Sequence, residues 1–528
     1  MNNTSNPVLA LYDFRAKQKF IYRTNKIKEI VGGSSIIENG FFTDAKKPEG
    51  PLVEEAKKIG ITIVASDNVD FSPQLFNDEQ PKGVIVYEGG GNLNILFDSE
   101  DTCVRLNKAF SKFILEKYYG LNMICSYVDA NLEEDDLRKT RAELYRKHSQ
   151  VENTDISIDR CNVLPFVQVD RKTSFPKSRV NKDTNDEDPK VSIETDEKLK
   201  AYKEKIEKKN NGSENTNYLL DKYVTEKGEE SLLAVVYIDG NNMGEKIRKK
   251  LDASSSSGKV SWNEGTKALK GFSEEIQNVF VEDGFDALDS FLTEKAGIEI
   301  QNGNPTNKVK DDMWKYWWKY CYRIIVGAGD EITFICNARL AFELAKEYLE
   351  SVNKKGYSSC AGICVFHSHT PFSDAYRIAE ECCESAKDKC REYDGETSWI
   401  DFQYCQSGIN SSLETIRKHE GIDKISRPWV ITGLEEIDDK GVVGLSEIEL
   451  MKNKLNNPKI GRNNVKSLLE HAFDSEASFE NEKGKIIAHH SLAQNYFDID
   501  GLNPETSKKL VYDMVLMYDV WFDKTKRL

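Results

Sequence analysis

Residues 324–336, Ile-Ile-Val-Gly-Ala-Gly-Asp-Glu-Ile-Thr-Phe-Ile-Cys, constrain this chain more than any other stretch. Two short apolar, β-branched runs flank Gly327-Ala328-Gly329-Asp330, the pattern of a tight β-hairpin with acidic groups at its tip. Glycine there allows backbone angles closed to other residues and lets a ligand approach the main chain. A second acidic stretch, residues 232–239, is an apolar run ending in Asp239, followed by Gly240-Asn241-Asn242-Met243-Gly244. It reads as a strand, a Gly/Asn turn and the start of a helix. If the two strands are neighbours, Asp239 and Asp330 converge beside a loop whose N–H groups and helix N-terminus can hold phosphate. Convergent carboxylates beside a phosphate cradle suit Mg²⁺, which shares oxygen ligands with substrate phosphates. The chemistry expected is phosphoryl or nucleotidyl transfer. Either motif alone is more often an ordinary turn, so their order within one folding unit gives them weight.

Composition sets the outer bounds. A chain of 528 residues, 39% of them hydrophobic, is long enough for about three or four domains at ~150 residues each. No run of about 18 apolar residues occurs and the N-terminus lacks a basic-then-apolar leader, so no membrane span and a cytoplasmic location are expected. The eleven cysteines show no Cys-x-x-Cys spacing, which predicts reduced, mostly buried thiols. A formal charge of −15 disfavours broad nonspecific nucleic-acid binding. Residues 171–182, with Arg171, Lys172, Lys177, Arg179 and Lys182, are one weak basic candidate, more readily a solvated loop.

The pattern repeats along the chain. An apolar run ending at Asp13 is followed by helical spacing over 17–31, and Gly32-Gly33-Ser34-Ser35 is read as opening another short helix. Residues 83–87 and 93–97 bracket Glu88-Gly89-Gly90-Gly91-Asn92, a second glycine-tipped hairpin, before a helix at 100–118, a strand at 123–128 and a helix at 132–148. Strand 232–238, helix 243–251, hairpin 322–336, helix 338–352, strand 359–366 and helix 372–390 return in the same order. This predicts an α+β chain built on two ferredoxin-like βαββαβ units. The expected domains are a first unit at 1–150, a charged linker or small domain at 151–230, a second, catalytic unit at 231–415 with an insertion at 252–320, and a helical C-terminal domain at 416–528. Within the linker, 181–198 reads as a solvated tract. Trp314 to Trp318, in the insertion, is expected to pack in a core. By position, the first unit keeps Asp13 but has Asn92 where the second has Asp330.

These residues resemble a known family. Tyr237-Ile-Asp-Gly-Asn-Asn-Met-Gly244, the Gly-Ala-Gly-Asp-Glu hairpin, Ala361-Gly-Ile ending in His367-Ser-His-Thr-Pro371, and Ala386-Lys387 are similar to the second palm of the CRISPR polymerase/cyclase, the large subunit of type III CRISPR effector complexes. Residues 25–34 and Tyr87-Glu-Gly-Gly-Gly-Asn92 look like its first palm. The resemblance implies that ATP is joined and cyclised into oligoadenylate, with other effector subunits, CRISPR RNA and target RNA as partners. Asp239, Asp330 and Glu331 would be catalytic and would hold Mg²⁺ or Mn²⁺. Gly240, Asn241, Asn242, Gly244, Gly329 and Lys387 would bind nucleotide, together with Gly90, Gly91 and Asn92 of the first palm. Where relatives often have Gly-Gly-Asp-Asp and Asp-Gly-Asp, this chain has Ala328, Glu331 and Asn241. It has no His-Asp dipeptide, and only Cys161 where paired zinc cysteines are common, so neither DNase activity nor zinc is expected. A diguanylate-cyclase-like enzyme and a non-catalytic RNA-binding scaffold are the alternative readings.

Overall fold

The computed structural model describes residues 6–521 apart from 25, 45, 78–80, 90, 155–165, 183–187, 211–222, 226–230, 256–257, 307–317, 394, 406–410 and 434–439. The chain divides into two compact units, one of Met1–Asn217 with Met243–Gln277, the other of Tyr218–Asn242 with Asn278–Leu528. The fold is α+β, as the two hairpin patterns predict.

In the first unit, β1 (Val8–Arg15) is followed by α1 (Lys17–Ile21), α2 (Ile27–Glu38), α3 (Pro51–Lys58) and β2 (Ile63–Val64). The hairpin β3 (Gly83–Gly89) and β4 (Asn92–Phe97), then α4 (Glu100–Lys117), β5 (Asn122–Asp129) and α5 (Leu137–Glu152), complete the repeat. The sheet order β2-β3-β4-β1-β5 places β1 between the inner hairpin strand and β5, antiparallel to both. That is the ferredoxin-like order for its last four strands. β1 is apolar on both faces (Val8 to Tyr12 are all buried), as suits a strand with neighbours on both edges.

Two readings of this unit change. Gly32 and Gly33 do not open a new helix; they lie in the middle of α2, where a Cβ on Gly32 would overlap the Lys198 carbonyl. The glycines let α6 (Ile193–Asn210) lie against α2, behind the short strands β6 (Lys177–Val180) and β7 (Lys190–Ser192). The described part of 181–198 is accordingly not a solvated tract. Ser192, Glu194, Thr195, Asp196 and Lys198 are buried, and Lys198 Nζ is held by Glu194 Oε1 at 2.8 Å and the Phe20 carbonyl at 2.5 Å. Charge density in the sequence suggested solvent, whereas paired charges can be buried.

The second unit starts with β8 (Leu232–Gly240). The helices α7 (Met243–Ala253) and α8 (Trp262–Ile276) group with the first unit, where Gly265 of α8 lies against Leu137 and Ser273 Oγ donates to the Glu88 carbonyl at 2.7 Å. The second unit resumes with α9 (Gly284–Ala296), the short β9 (Ile300–Gln301) and β10 (Asn304–Pro305), then the hairpin β11 (Tyr322–Ala328) and β12 (Glu331–Asn337). Then come α10 (Ala341–Lys354), β13 (Ser359–His367), α11 (Phe372–Glu392), β14 (Ser398–Cys405) and, later, β15 (Trp429–Thr432). The order β11-β12-β8-β13 repeats that of the first unit, and β14 and β15 extend it. Of Trp314 to Trp318, only the backbone of Trp318, opening a short 3-10 turn, is described.

Alternation along the strands assigns the two faces of this sheet. Tyr237 meets Tyr376 of α11 edge-on at 5.6 Å, while Phe342 of α10 and Phe402 of β14 meet Trp429 at 5.9 and 5.0 Å on the opposite side. The C-terminal helices join the same unit through charge. Asp513 accepts from the Ser426 and Arg427 backbones at 2.7 and 3.1 Å and from the buried Arg427 guanidinium. The described cysteines are unpaired and, Cys125 apart, buried; Cys161 lies outside the described residues. Among the described residues no helix is long and apolar enough to cross a membrane.

Gly362 sets the distance between α11 and the sheet. A Cβ there would overlap the Ala379 carbonyl and the Cys383 amide of α11. Gly362→Val should therefore push the helix outward and cost about 1–3 kcal/mol, the scale of core overpacking. Gly271→Ala, in an open stretch of α8, should instead stabilise by about 0.5–1 kcal/mol. Thermal unfolding of both variants measures the contrast; equal midpoints would contradict it.

Candidate active site

The hairpin closes through a two-residue turn, Gly329-Asp330, between the paired Ala328 and Glu331. Gly329 has φ +63, which explains glycine at that position. β12 then runs antiparallel to β8 with Glu331 opposite Asp239, so both side chains leave the same sheet face, roughly 4.5–5.5 Å apart at Cβ. The Gly240 amide donates to the Asp330 carbonyl at 3.3 Å and ties the turn to the end of β8. Asp239, Asp330 and Glu331, read from the sequence as a set, are thus brought together.

Their electrostatics are strained. Burial, and next the Asp239 carboxylate, push the Asp330 carboxyl up to about 7. Lys387 of α11 answers part of this charge: its Nζ lies 2.6 Å from Asp239 Oδ2 and 3.2 Å from the Gly240 carbonyl. Although burial opposes its charge, Asp239 holds the Lys387 ammonium above its usual range. Glu380, not singled out from the sequence, belongs to the same neighbourhood, its carboxyl raised by burial and then by Glu331, Glu381 and Asp239. The seven-residue spacing of Glu380 and Lys387 on one helix was the signal available for finding it. Tyr237 also faces this cluster, its phenol pushed far up by burial, then by Glu331 and Asp239. Tyr376 brings its hydroxyl to 3.5 Å from Glu331 Oε1.

The turn after β8 is built differently from expectation. Asn241, expected to face a nucleotide, is turned into the fold: 4% exposed, its Nδ2 donates to the Thr397 carbonyl at 2.9 Å and lies 3.4 Å from Cys390 Sγ. Asn242, at φ +55, donates to the Gly395 carbonyl at 2.9 Å. Both amides therefore hold the segment between α11 and β14 against the end of β8. An aspartate at 241 would aim a carboxylate at a carbonyl, which accounts for asparagine at this position. Gly240 remains at the strand end beside Lys387, and Gly244 lies in the first turn of α7, in the first unit. The 367–371 motif stands at the other end of β13, where His367 pairs with Leu232, whereas Cys360 pairs with Asp239. Seven residues of strand, roughly 23 Å, separate it from the carboxylates.

In the first unit, Asp13 pairs with Asn92 in register. Asn92 is therefore the counterpart of Glu331, and Gly91 that of Asp330, which corrects the alignment by sequence position; hairpin register, not distance from the glycines, sets the equivalence. Gly91, at φ +74, is a turn residue whose Cβ would lie 2.7 Å from Lys17 Nζ; Gly90 lies outside the described residues. Asp13 sits 2.7 Å from Lys17 and 3.8 Å from His148. Burial would raise its carboxyl, but His148 and Lys17 hold it below the usual range.

Among the described residues no group of three or more His, Cys, Asp or Glu side chains is arranged to hold a metal by itself. Asp239 and Asp330 nevertheless fit a hard divalent cation: their mutual repulsion favours a bridging positive charge, and Mg²⁺ commonly takes one or two carboxylates with the rest from phosphate and water.

Asn241→Asp supplies an extra carboxylate but loses the Thr397 tie. It should lower the unfolding midpoint and stability by about 1–3 kcal/mol, the cost of an unsatisfied buried polar group. A midpoint at or above wild type would refute the structural role of Asn241.

Residues 232–394 match the family described as Cas10/Cmr2, second palm domain. No curated protein matches the chain. Among solved structures, it is similar to Csm1 from T. onnurineus (13% identity, TM-score 0.47, 97% of this chain and 69% of that one). It is also similar to a Csm1–Csm4 cassette in complex with cA4 (14%, 0.44, 97% and 70%) and to one in complex with one ATP (12%, 0.46, 98% and 70%). Residues 232–394 thus form a second palm domain of the Cas10/Cmr2 type.

Proposed function

We propose that this chain is a metal-dependent nucleotidyl cyclase that converts ATP into cyclic oligoadenylate within a type III CRISPR effector. Its partners on this reading are the other effector subunits, CRISPR RNA and target RNA. The observation that carries the proposal is the register of Glu331 opposite Asp239, with Asp330 beside them, inside a sequence that matches a Cas10/Cmr2 second palm.

Asp239, Asp330 and Glu331 would hold Mg²⁺ or Mn²⁺, which supplies positive charge to a triphosphate that three carboxylates would otherwise repel. Gly329 leaves its own position in the turn without a side chain, so phosphate can approach the main chain there. Lys387, a flexible point charge, would contact the triphosphate. The first palm would bind the acceptor nucleotide through Gly90, Gly91 and Asn92. Asn92 stands where the second palm has Glu331, and an amide there can hydrogen-bond but not ligate a cation with charge. Asn241, buried, supports the site through the Thr397 carbonyl rather than touching nucleotide, while Asn242, tied to the Gly395 carbonyl, is exposed.

The test is product formation from each NTP with Mg²⁺ or Mn²⁺, with and without partner subunits, followed by mass spectrometry. ATP should give cyclic oligoadenylate, and excess EDTA should abolish turnover; full turnover in EDTA would refute the metal assignment. Cyclic diguanylate from GTP would move the reading to the diguanylate-cyclase class, and no product under any condition would leave a scaffold. Metal-dependent cleavage of single-stranded DNA by the pure protein would contradict the expected lack of DNase activity.

At saturating ATP, Asp330→Asn should lower turnover by at least ~10²-fold, the scale for losing a strong electrostatic contributor. Asn92→Ala should act mainly on nucleotide affinity. If Asn92→Ala abolished turnover while Asp330→Asn retained it, the second palm would not be the catalytic one.

A further inference from the structure

We infer that Lys387 is an exchangeable counter-ion, which leaves Asp239 for phosphate when nucleotide binds and so couples nucleotide binding to cation binding. The inference rests on the nucleotidyl-transfer reading of this site and adds the order of charge exchange within it.

The geometry sets up a competition. Asp239 Oδ2, the atom that faces Lys387 Nζ at 2.6 Å, belongs to a carboxylate that a divalent cation would need. The pair is partly enclosed, with the lysine side chain 16% and the aspartate side chain 30% exposed, so solvent screens it incompletely. A cation arriving at Asp239 alone would meet the ammonium at contact range, and like charges that close oppose one another. Lys387 cannot withdraw by moving its helix, because α11 is seated on the sheet at Gly362. Its four-carbon stem can swing, however, and an ammonium has three donors, of which Asp239 and the Gly240 carbonyl take two.

A triphosphate changes the balance. It offers anionic oxygens to the ammonium, and the swing that brings Lys387 to them frees Asp239 Oδ2 for the cation. Asp239 and Asp330 would then hold the cation, whose charge would offset that of the same phosphates. Each ligand thereby strengthens the other, and the coupling is reciprocal by thermodynamic necessity. Without nucleotide, Lys387 keeps Asp239 neutralised and the site weak for divalent metal.

Mn²⁺ binding to the full chain, followed by the electron paramagnetic resonance of free Mn²⁺, tests this without any turnover. In the absence of nucleotide, Lys387→Met should bind Mn²⁺ at least ~5-fold tighter than wild type, the lower edge of typical coupling. A non-hydrolysable ATP analogue should tighten Mn²⁺ binding to wild type by at least the same ~5-fold and help Lys387→Met much less. Asp239→Asn, which should lose the site in both conditions, identifies this site among the chain's other acidic groups. Circular dichroism checks folding, and Lys387→Gln carries the same expectation should the Met variant not fold. Equal or weaker nucleotide-free Mn²⁺ binding by the charge-removing variant overturns the exchange. Wild type taking up no Mn²⁺ even with the analogue would overturn the metal-dependent reading as well, so the two failures are distinguishable.

Discussion

The second unit depends on one close approach, that of α11 to β13 at Gly362. With no side chain at that position, the helix backbone lies directly on the strand, and everything the helix carries is placed relative to β8. Tyr376 reaches Tyr237, Glu380 feels Glu331, and Lys387 meets Asp239. The ion pair at the end of β8 is thus the outcome of backbone packing on the adjacent strand. A shift of about 1 Å there would loosen contacts whose value depends on hydrogen-bond range.

Concentrating carboxylates at the end of a buried sheet is costly, and the molecule offsets that cost locally. Burial and Asp239 raise the Asp330 carboxyl, and Lys387 balances one of the charges. The first unit solves a similar problem with Lys17 and His148 around Asp13, and it has an amide, Asn92, in place of the second carboxylate. The two units therefore share a strand order but differ in charge where their hairpins turn. That difference is the physical basis for giving them different roles.

The asparagines after β8 show how a motif can be kept in spacing and altered in use. Asn241 and Asn242 occupy loop positions that a motif comparison assigns to ligand, yet their amides bind the Thr397 and Gly395 carbonyls. Such a tie holds the aspartate end of the strand from behind. Glu380, in contrast, carries no motif and still contributes to the field at the site.

The sequence by itself determined the local features: two glycine-tipped hairpins, two apolar strands ending in aspartate, and the repeated order of strand, hairpin, helix and strand. These are readable because turn geometry and strand alternation act over a few residues, and Asp239, Asp330 and Glu331 fell within them. Register, partner and burial were decided only in three dimensions. Antiparallel pairing made Asn92 the counterpart of Glu331, a backbone approach at Gly362 carried Lys387 onto Asp239, and the contacts of α7 and α8 grouped them with the first unit. The charged run ending at Lys198 proved buried for the same reason: its partners, Glu194 of the same helix and the Phe20 carbonyl, include one 178 residues away. Interactions over such separations leave no periodic trace, because they depend on which surfaces the folded chain brings into contact.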